Sequence, residues 1–222
     1  MLKAVIFDMD GLMLDTERLL QRFWCEAAAF YGYTMPPETA LGMRSLSSRY
    51  SKKYLKRCMG KDFDYQTVRA KRIQLMNAYI KQNGVIKKKG LDQLLDFLKT
   101  TPLKAAVCTA TDFERTKMYL ENAGVFDKFD EFMCGNMVER GKPAPDIYEF
   151  ACRGLGLEPD ECIALEDSPN GVISAAVAGL DTIMIPDLTQ PSDDIKPLLY
   201  DCCESLDKVI DILKKVMNEG SN

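Results

Sequence analysis

A chain of 222 residues can bury one substantial core and add a smaller unit, and 46% hydrophobic with 28% charged side chains is ordinary for a globular protein. No apolar stretch approaches the roughly 20 residues of a membrane span, and the first residues form neither a secretory apolar region nor an amphipathic transit helix, so a cytoplasmic protein without membrane attachment is expected. The net charge of -4 gives no global reason to expect a nucleic-acid polymer as partner, and the absence of histidine removes imidazole bases, histidine triads and histidine-ligated metals.

In chain order, a first strand is expected at Ala4–Phe7, and it runs straight into two carboxylates, Asp8 and Asp10. Residues 16–85 then read as helix after helix, at Thr16–Tyr31, Ser47–Met59 and Tyr65–Gln82, with "YTMPPE" and "GKDFDY" as turns. Phe23, Trp24 and Tyr31 read as the core of this helical unit rather than a stacking platform, and Arg49, Lys52, Lys53 and Lys56 as one solvated helical face. Lys87 to Lys89 and Gly90 close the insert as a solvated linker.

Beyond the linker, Leu91, Leu94, Leu95 and Leu98 form an apolar stripe at helical spacing. Short apolar runs predict further strands at Leu103–Cys108, Phe129–Cys134, Cys162–Leu165 and Thr182–Ile185, most of them followed by a helical pattern. Thr111 to Glu114 reads as a capping box opening a helix that runs to Asn122 and stops at Gly124. Another helix starts at "PAPD", Ser168 with Pro169 opens a third, and Ser205–Met217 is a terminal amphipathic helix. Alternating strand and helix implies an α/β fold, a parallel sheet covered on both faces. The eight cysteines show no zinc-type C-x-x-C pairing, and Cys108, Cys134 and Cys162 fall inside expected strands as small hydrophobes, which fits a reducing compartment.

In an open parallel sheet, ligands bind beyond the carboxyl ends of the strands. Asp8 and Asp10 follow the first strand, Thr109 the second, Glu166 and Asp167 a later one, and Lys142 lies just before an expected helix. Clustered carboxylates repel unless a hard divalent cation neutralises them, and Mg²⁺ suits oxygen ligands and phosphate oxygens. A carboxylate ionised at neutral pH needs no general base to attack phosphorus, which suits a chain lacking histidine. A neighbouring carboxylate can protonate the departing oxygen and later take a proton from water. Thr109 can donate to a phosphoryl oxygen, with the amides of the following helix aimed at the same anion, and Lys142 adds a compact positive charge. Taken singly, these residues read as well as caps, surface charges or helix-terminal acids, and it is their joint order that points to a site. A calcium loop is disfavoured because Leu12 and Leu19 occupy the positions where it needs acids.

"FDMDG" followed by "LDTE", then "CTATD", "GKPAPDIY" and "LEDSPNG", resemble in order the motifs of the haloacid dehalogenase superfamily, in its beta-phosphoglucomutase-like phosphatase branch. The resemblance covers nearly the whole chain. It implies a three-layer Rossmann-like core formed by residues 1–15 and 86–222, with residues 16–85 as a small helical-bundle cap. It further implies Asp8 as nucleophile, Asp10 as general acid/base, and phosphate binding by Thr109, Ala110 and Lys142. Mg²⁺ would be held by Asp8, the Asp10 carbonyl and Asp167, with Glu166 assisting, and cap residues Glu17 and Arg44 would face the substrate. The expected activity is hydrolysis of a small-molecule phosphomonoester, a sugar phosphate or nucleotide-like metabolite, with monomer as the default state. The alternatives are a phosphosugar mutase and a non-catalytic phosphate-binding regulator. The presence of Asp10 disfavours dehalogenase and phosphonate-cleaving chemistry, and Leu20 stands where the mutase carries its hinge histidine.

Overall fold

The computed structural model describes residues 1–219. Strand β1 (Ala4–Phe7) is followed by four helices, α1 (Glu17–Phe30), α2 (Pro37–Leu41), α3 (Ser48–Met59) and α4 (Tyr65–Asn83). Next come α5 (Leu91–Leu98), β2 (Lys104–Thr109), α6 (Phe113–Asn122), β3 (Glu131–Cys134) and α7 (Asp146–Leu155). The chain continues with β4 (Cys162–Glu166), α8 (Pro169–Val177), β5 (Asp181–Met184), β6 (Asp201–Cys202) and α9 (Leu206–Glu219).

All strand pairs are parallel, and the sheet order is β3-β2-β1-β4-β5-β6. β1 therefore lies centrally, where the order reverses, and its carboxyl end opens the crevice in which doubly wound sheets bind ligands. The fully buried run Ala4–Phe7 reflects that position, since helices cover both faces. Val5 and Phe7 pack with the leucines of α5 and with Leu206, Val209 and Leu213 of α9. Ala4 and Ile6 point to the opposite face and pack with Ile147, Tyr148 and Ala151 of α7 and Ala175 of α8. The period-2 alternation of a strand thus divides one tetrapeptide between two cores.

Helices α1 to α4 share an apolar cluster of their own, including Trp24, Ala28, Met43, Leu55, Tyr65 and Val68. Phe23 of α1 and Met76 and Ile80 of α4 instead join the core beside the sheet. Trp24 and Phe23 are buried as the sequence leads one to expect, but Tyr31, just beyond the end of α1, is 43% exposed. The basic face of α3 stays in solvent, with Arg49 reaching only an exposed Glu139 at 3.4 Å.

The structure departs from expectation in several other places. Part of "YTMPPE" forms the short helix α2, which tolerates Pro37 because the first helical position needs no amide donor. The helix after β2 is capped by Asp112, whose carboxylate accepts from the Arg115 amide at 3.2 Å, and not by Thr111. Strand β6 is only two residues long and is exposed, so no apolar run announces it. Lys87 to Lys89 is not a free linker. The Lys88 amide donates to the Met13 carbonyl at 2.8 Å, the Asp15 amide to Ile86 at 2.8 Å, and the Lys88 ammonium reaches Asp187 at 2.7 Å. The two chain crossings that flank the helical insert are therefore laced to each other.

Candidate active site

At the end of β1, Asp8 is buried, and one of its oxygens, Oδ1, lies 2.5 Å from Lys142 Nζ. The same ammonium donates to Glu166 Oε1 at 2.5 Å and to the Cys108 carbonyl at 2.9 Å, using its three donors on two strand ends and the acid after a third strand. Tyr148 donates to Glu166 Oε1 as well, at 2.6 Å. Lys142 is completely buried, so its aliphatic stem and charged head both lie in the interior. Burial would by itself lower its pKa, but Asp8 and Glu166 more than offset that and hold the ammonium well above its ordinary value.

Positive charge nevertheless falls short in this corner. Asp8, Glu166 and Asp167 each offer an oxygen within 4.8 Å of the others, while Asp8 Oδ2, Glu166 Oε2 and both Asp167 oxygens are buried without a hydrogen-bond partner. Against them stand Lys142 and, 3.8 Å from Asp167, the guanidinium of Arg44. Burial pushes the Asp8 carboxyl well above the usual range despite Lys142, with Glu166, Asp167 and Asp10 adding to the push. Burial and then Glu166 push Asp167 up to about 8, against the pull of Arg44. Raised carboxyls are what the sequence leads one to expect of clustered carboxylates that no cation neutralises. An all-oxygen donor set with four orphaned carboxylate oxygens is what a hard divalent cation such as Mg²⁺ accepts, so the residues fit that ion.

Asp10 is held differently. Its Oδ1 accepts from the Thr16 hydroxyl at 2.6 Å, and its Oδ2 accepts from Thr111 at 2.7 Å and Thr109 at 3.4 Å. Its side chain thus stands outside the acidic trio of Asp8, Glu166 and Asp167. Thr109 is buried and also accepts from the Thr111 amide at 3.1 Å. At the start of α6, the Phe113 amide donates to Asn136 at 3.3 Å and the Arg115 amide to Asp112. Gly11, at φ +91°, completes the turn, and a side chain there would run into the Asp167 carboxylate and come within 2.8 Å of Glu17 Cγ.

One cavity is lined, among others, by Asp8, Asp10, Glu17, Arg44, Thr109 and Ala110, while Lys142, Glu166 and Asp167 lie behind that lining. Glu17 is buried at the first position of α1, and burial, Asp167 and Asp10 push its carboxyl well above the usual range while Arg44 opposes them. Arg44 bridges to the sheet side. Besides its approach to Asp167 it donates to Thr189, and its carbonyl accepts from Asn170 at 2.9 Å. Leu20, the position without a hinge histidine, lines the same cavity.

Several participants escaped sequence reasoning. Thr111 looked like half of a capping box, yet it grips Asp10. Tyr148 lay inside the "GKPAPDIY" motif and could have been found by noting that an aromatic hydroxyl one turn into α7 faces the sheet. Arg69, Arg72 and Arg115, which also line the cavity, carried no local signal at all.

The family model described as haloacid dehalogenase-like hydrolase matches residues 5–185. A Drosophila melanogaster protein named "Probable pseudouridine-5'-phosphatase" is 32% identical over 190 residues, covering 82% of this chain and 80% of that protein. The Thermotoga maritima protein named "Phosphorylated carbohydrates phosphatase" is 26% identical over 223 residues, covering 97% of this chain and all (100%) of its own. Among solved structures, the beta-phosphoglucomutase of Clostridium difficile superposes with a TM-score of 0.84 over 99% of this chain and 98% of that one. At 21% identity, that match speaks to the fold alone.

Proposed function

The chain belongs to the haloacid dehalogenase-like hydrolase family, and on that footing we propose how it works as a phosphatase of phosphorylated metabolites. Asp8 attacks phosphorus through a carboxylate oxygen while Lys142 holds its Oδ1. The bond from phosphorus to the ester oxygen breaks, and Asp10 delivers a proton to that oxygen, releasing an alcohol and leaving the phosphoryl group on Asp8. Asp10 then takes a proton from water, whose oxygen attacks phosphorus and frees inorganic phosphate and Asp8. Three threonine hydroxyls fix Asp10 in position for both transfers. Mg²⁺, held by Asp8, Asp167 and the Asp10 carbonyl with help from Glu166, would supply the missing positive charge and neutralise the phosphoryl oxygens. Thr109, Ala110 and Lys142 would surround the transferred group, and Glu17 and Arg44 would meet the part of the substrate that leaves. The helices of residues 16–85 would serve as a cap that excludes water from the reaction.

The observation that carries this reading is the divided carboxylate of Asp8, one oxygen pinned by a buried ammonium and the other free. Phosphate release from a panel of phosphorylated metabolites, with Mg²⁺ and with chelator, tests it, and it fails if no ester is hydrolysed or if chelator makes no difference. With beta-glucose 1-phosphate the expected products are glucose and phosphate. Glucose 6-phosphate would instead mean a mutase, for which Leu20 offers no proton-transfer group.

Two variants probe the parts separately. Asp10→Asn keeps oxygen and nitrogen near the threonines but cannot supply a proton, so esters with poor leaving groups should slow by about 10² to 10⁴. p-Nitrophenyl phosphate, whose leaving group needs no protonation, should suffer distinctly less in its first step, and equal losses would remove the acid role from Asp10. Separately, Mg²⁺ titration should raise the melting temperature of the unmodified protein, approaching about 2.7 kcal/mol of added stability at a hundred times its Kd. In Asp167→Asn that Mg²⁺-dependent rise should shrink or vanish.

A further inference from the structure

The cavity lined by Asp8 and Asp10 is lined as well by three arginines, Arg69, Arg72 and Arg115. Arg69 and Arg72 lie three residues apart on α4, hence on one helical face, whereas Arg115 comes from α6 beside the sheet. Arg115 is neutralised by Asp112, with Nε at 2.8 Å and Nη2 at 2.7 Å. Arg72 has no such partner: it is buried, makes no ion pair among the described residues, and its Nε and Nη1 are buried donors without acceptors. The Trp24 ring lies 5.2 Å from its guanidinium carbon.

An unpaired buried guanidinium is costly. Burial, and then the neighbouring charge of Arg115, push Arg72 down to about 9. A guanidinium keeps its proton under ordinary conditions, so the penalty stands as charge awaiting an anion. A mere core position would accept methionine or leucine more cheaply, since replacing buried charges with apolar groups is often neutral or stabilising. Retaining the charge makes physical sense if a ligand brings the partner, as with stability given up at binding sites generally.

We propose that the substrate carries a second oxyanion, a phosphate or a carboxylate, in addition to the phosphoryl group it loses, and that Arg72, with Arg69 and Arg115, holds it between α4 and α6. This deepens the phosphatase reading and rests on it. Because α4 belongs to the helical insert and α6 to the sheet side, the bound anion also bridges the two walls of the cavity. Closure is then favoured by a substrate that carries both anionic groups.

A ladder of α,ω-alkanediol monophosphates, the corresponding bisphosphates, and ω-phosphooxy carboxylates of two to five carbons tests the proposal without assuming a metabolite. Calorimetric Kd values with Mg²⁺ are measured on Asp8→Asn, and kcat/KM on the unmodified enzyme. At one chain length at least, the bisphosphate or the phosphooxy carboxylate should be preferred over the monophosphate by tenfold or more, about 1.4 kcal/mol. Which of the two wins identifies the oxyanion. Arg72→Met should bring that preference below threefold while raising the melting temperature of the ligand-free protein, and Arg69→Gln should reduce it partially. Should Arg72→Met not fold, Arg69→Gln, at a half-buried position, decides alone. A flat ladder at every length, or a preference unchanged in the variants, overturns the proposal. Preferential binding to Asp8→Asn without phosphate release by the unmodified enzyme would uphold the second anion site and refute the phosphatase mechanism instead.

Discussion

Asp8→Asn should abolish phosphate release on every ester, with a loss on the order of 10⁶, the scale set by removing the nucleophile of a covalent hydrolase. The substitution changes one oxygen to nitrogen and leaves the shape of the site intact. It also removes one negative charge from a buried group whose neighbours Glu166, Asp167 and Asp10 all oppose it. The variant should therefore fold, and its melting temperature should match or exceed that of the unmodified protein. Loss of turnover with stability retained separates a chemical role from a structural one. Retained turnover would mean that no bond forms between Asp8 and phosphorus. Rapid quenching of the unmodified enzyme with a labelled phosphoester should leave label on the protein, and Asp8→Asn should leave none.

The second large effect belongs to Lys142, and here stability falls along with activity. Its ammonium is the shared partner of Asp8 and Glu166, at 2.5 Å from each. Lys142→Met fills about the same space but strands two buried carboxylates, and breaking a buried ion pair from one side costs about 3–5 kcal/mol. For a chain of this length that corresponds to a fall of roughly 10 °C in melting temperature. Urea or thermal unfolding at neutral pH measures it. Adding Asp8→Asn to Lys142→Met should recover part of the loss, because one stranded charge is then gone, so the two substitutions should be non-additive. Lys142→Arg should not restore activity, since a planar fork cannot reproduce three donors converging from a single nitrogen. Full additivity, or a stable Lys142→Met, would show that the ammonium is not the keystone of this cluster.

The acidic turn illustrates why much of the site could be read from the chain alone. Asp8 and Asp10 sit immediately beyond a strand that is apolar on both faces, and in a parallel sheet the carboxyl ends of such strands lie together. Knowing which runs are strands was therefore enough to bring Asp8, Thr109 and Glu166 to one edge, and the parallel register places Phe7 beside both Val107 and Leu165. Lys142 was legible only through its motif, since a lysine in a loop is ordinarily solvated. The reading of Thr111 as a cap failed because Asp112 competes for the same helix start and has the better-placed acceptor. That failure freed the Thr111 hydroxyl for Asp10.

The order of strands and helices, the acidic pair behind β1 and the long helical insert follow from local patterns, because apolar period and turn chemistry act over a few residues and leave their mark in neighbouring letters. The tertiary structure alone decided how charge is balanced. Which carboxylates lose their partners on burial, how Lys88 and Asp187 meet, and why Arg72 is left unpaired beside Arg115 depend on contacts between segments distant in the chain. Desolvation and Coulomb forces act through space, and no local run of sequence records them.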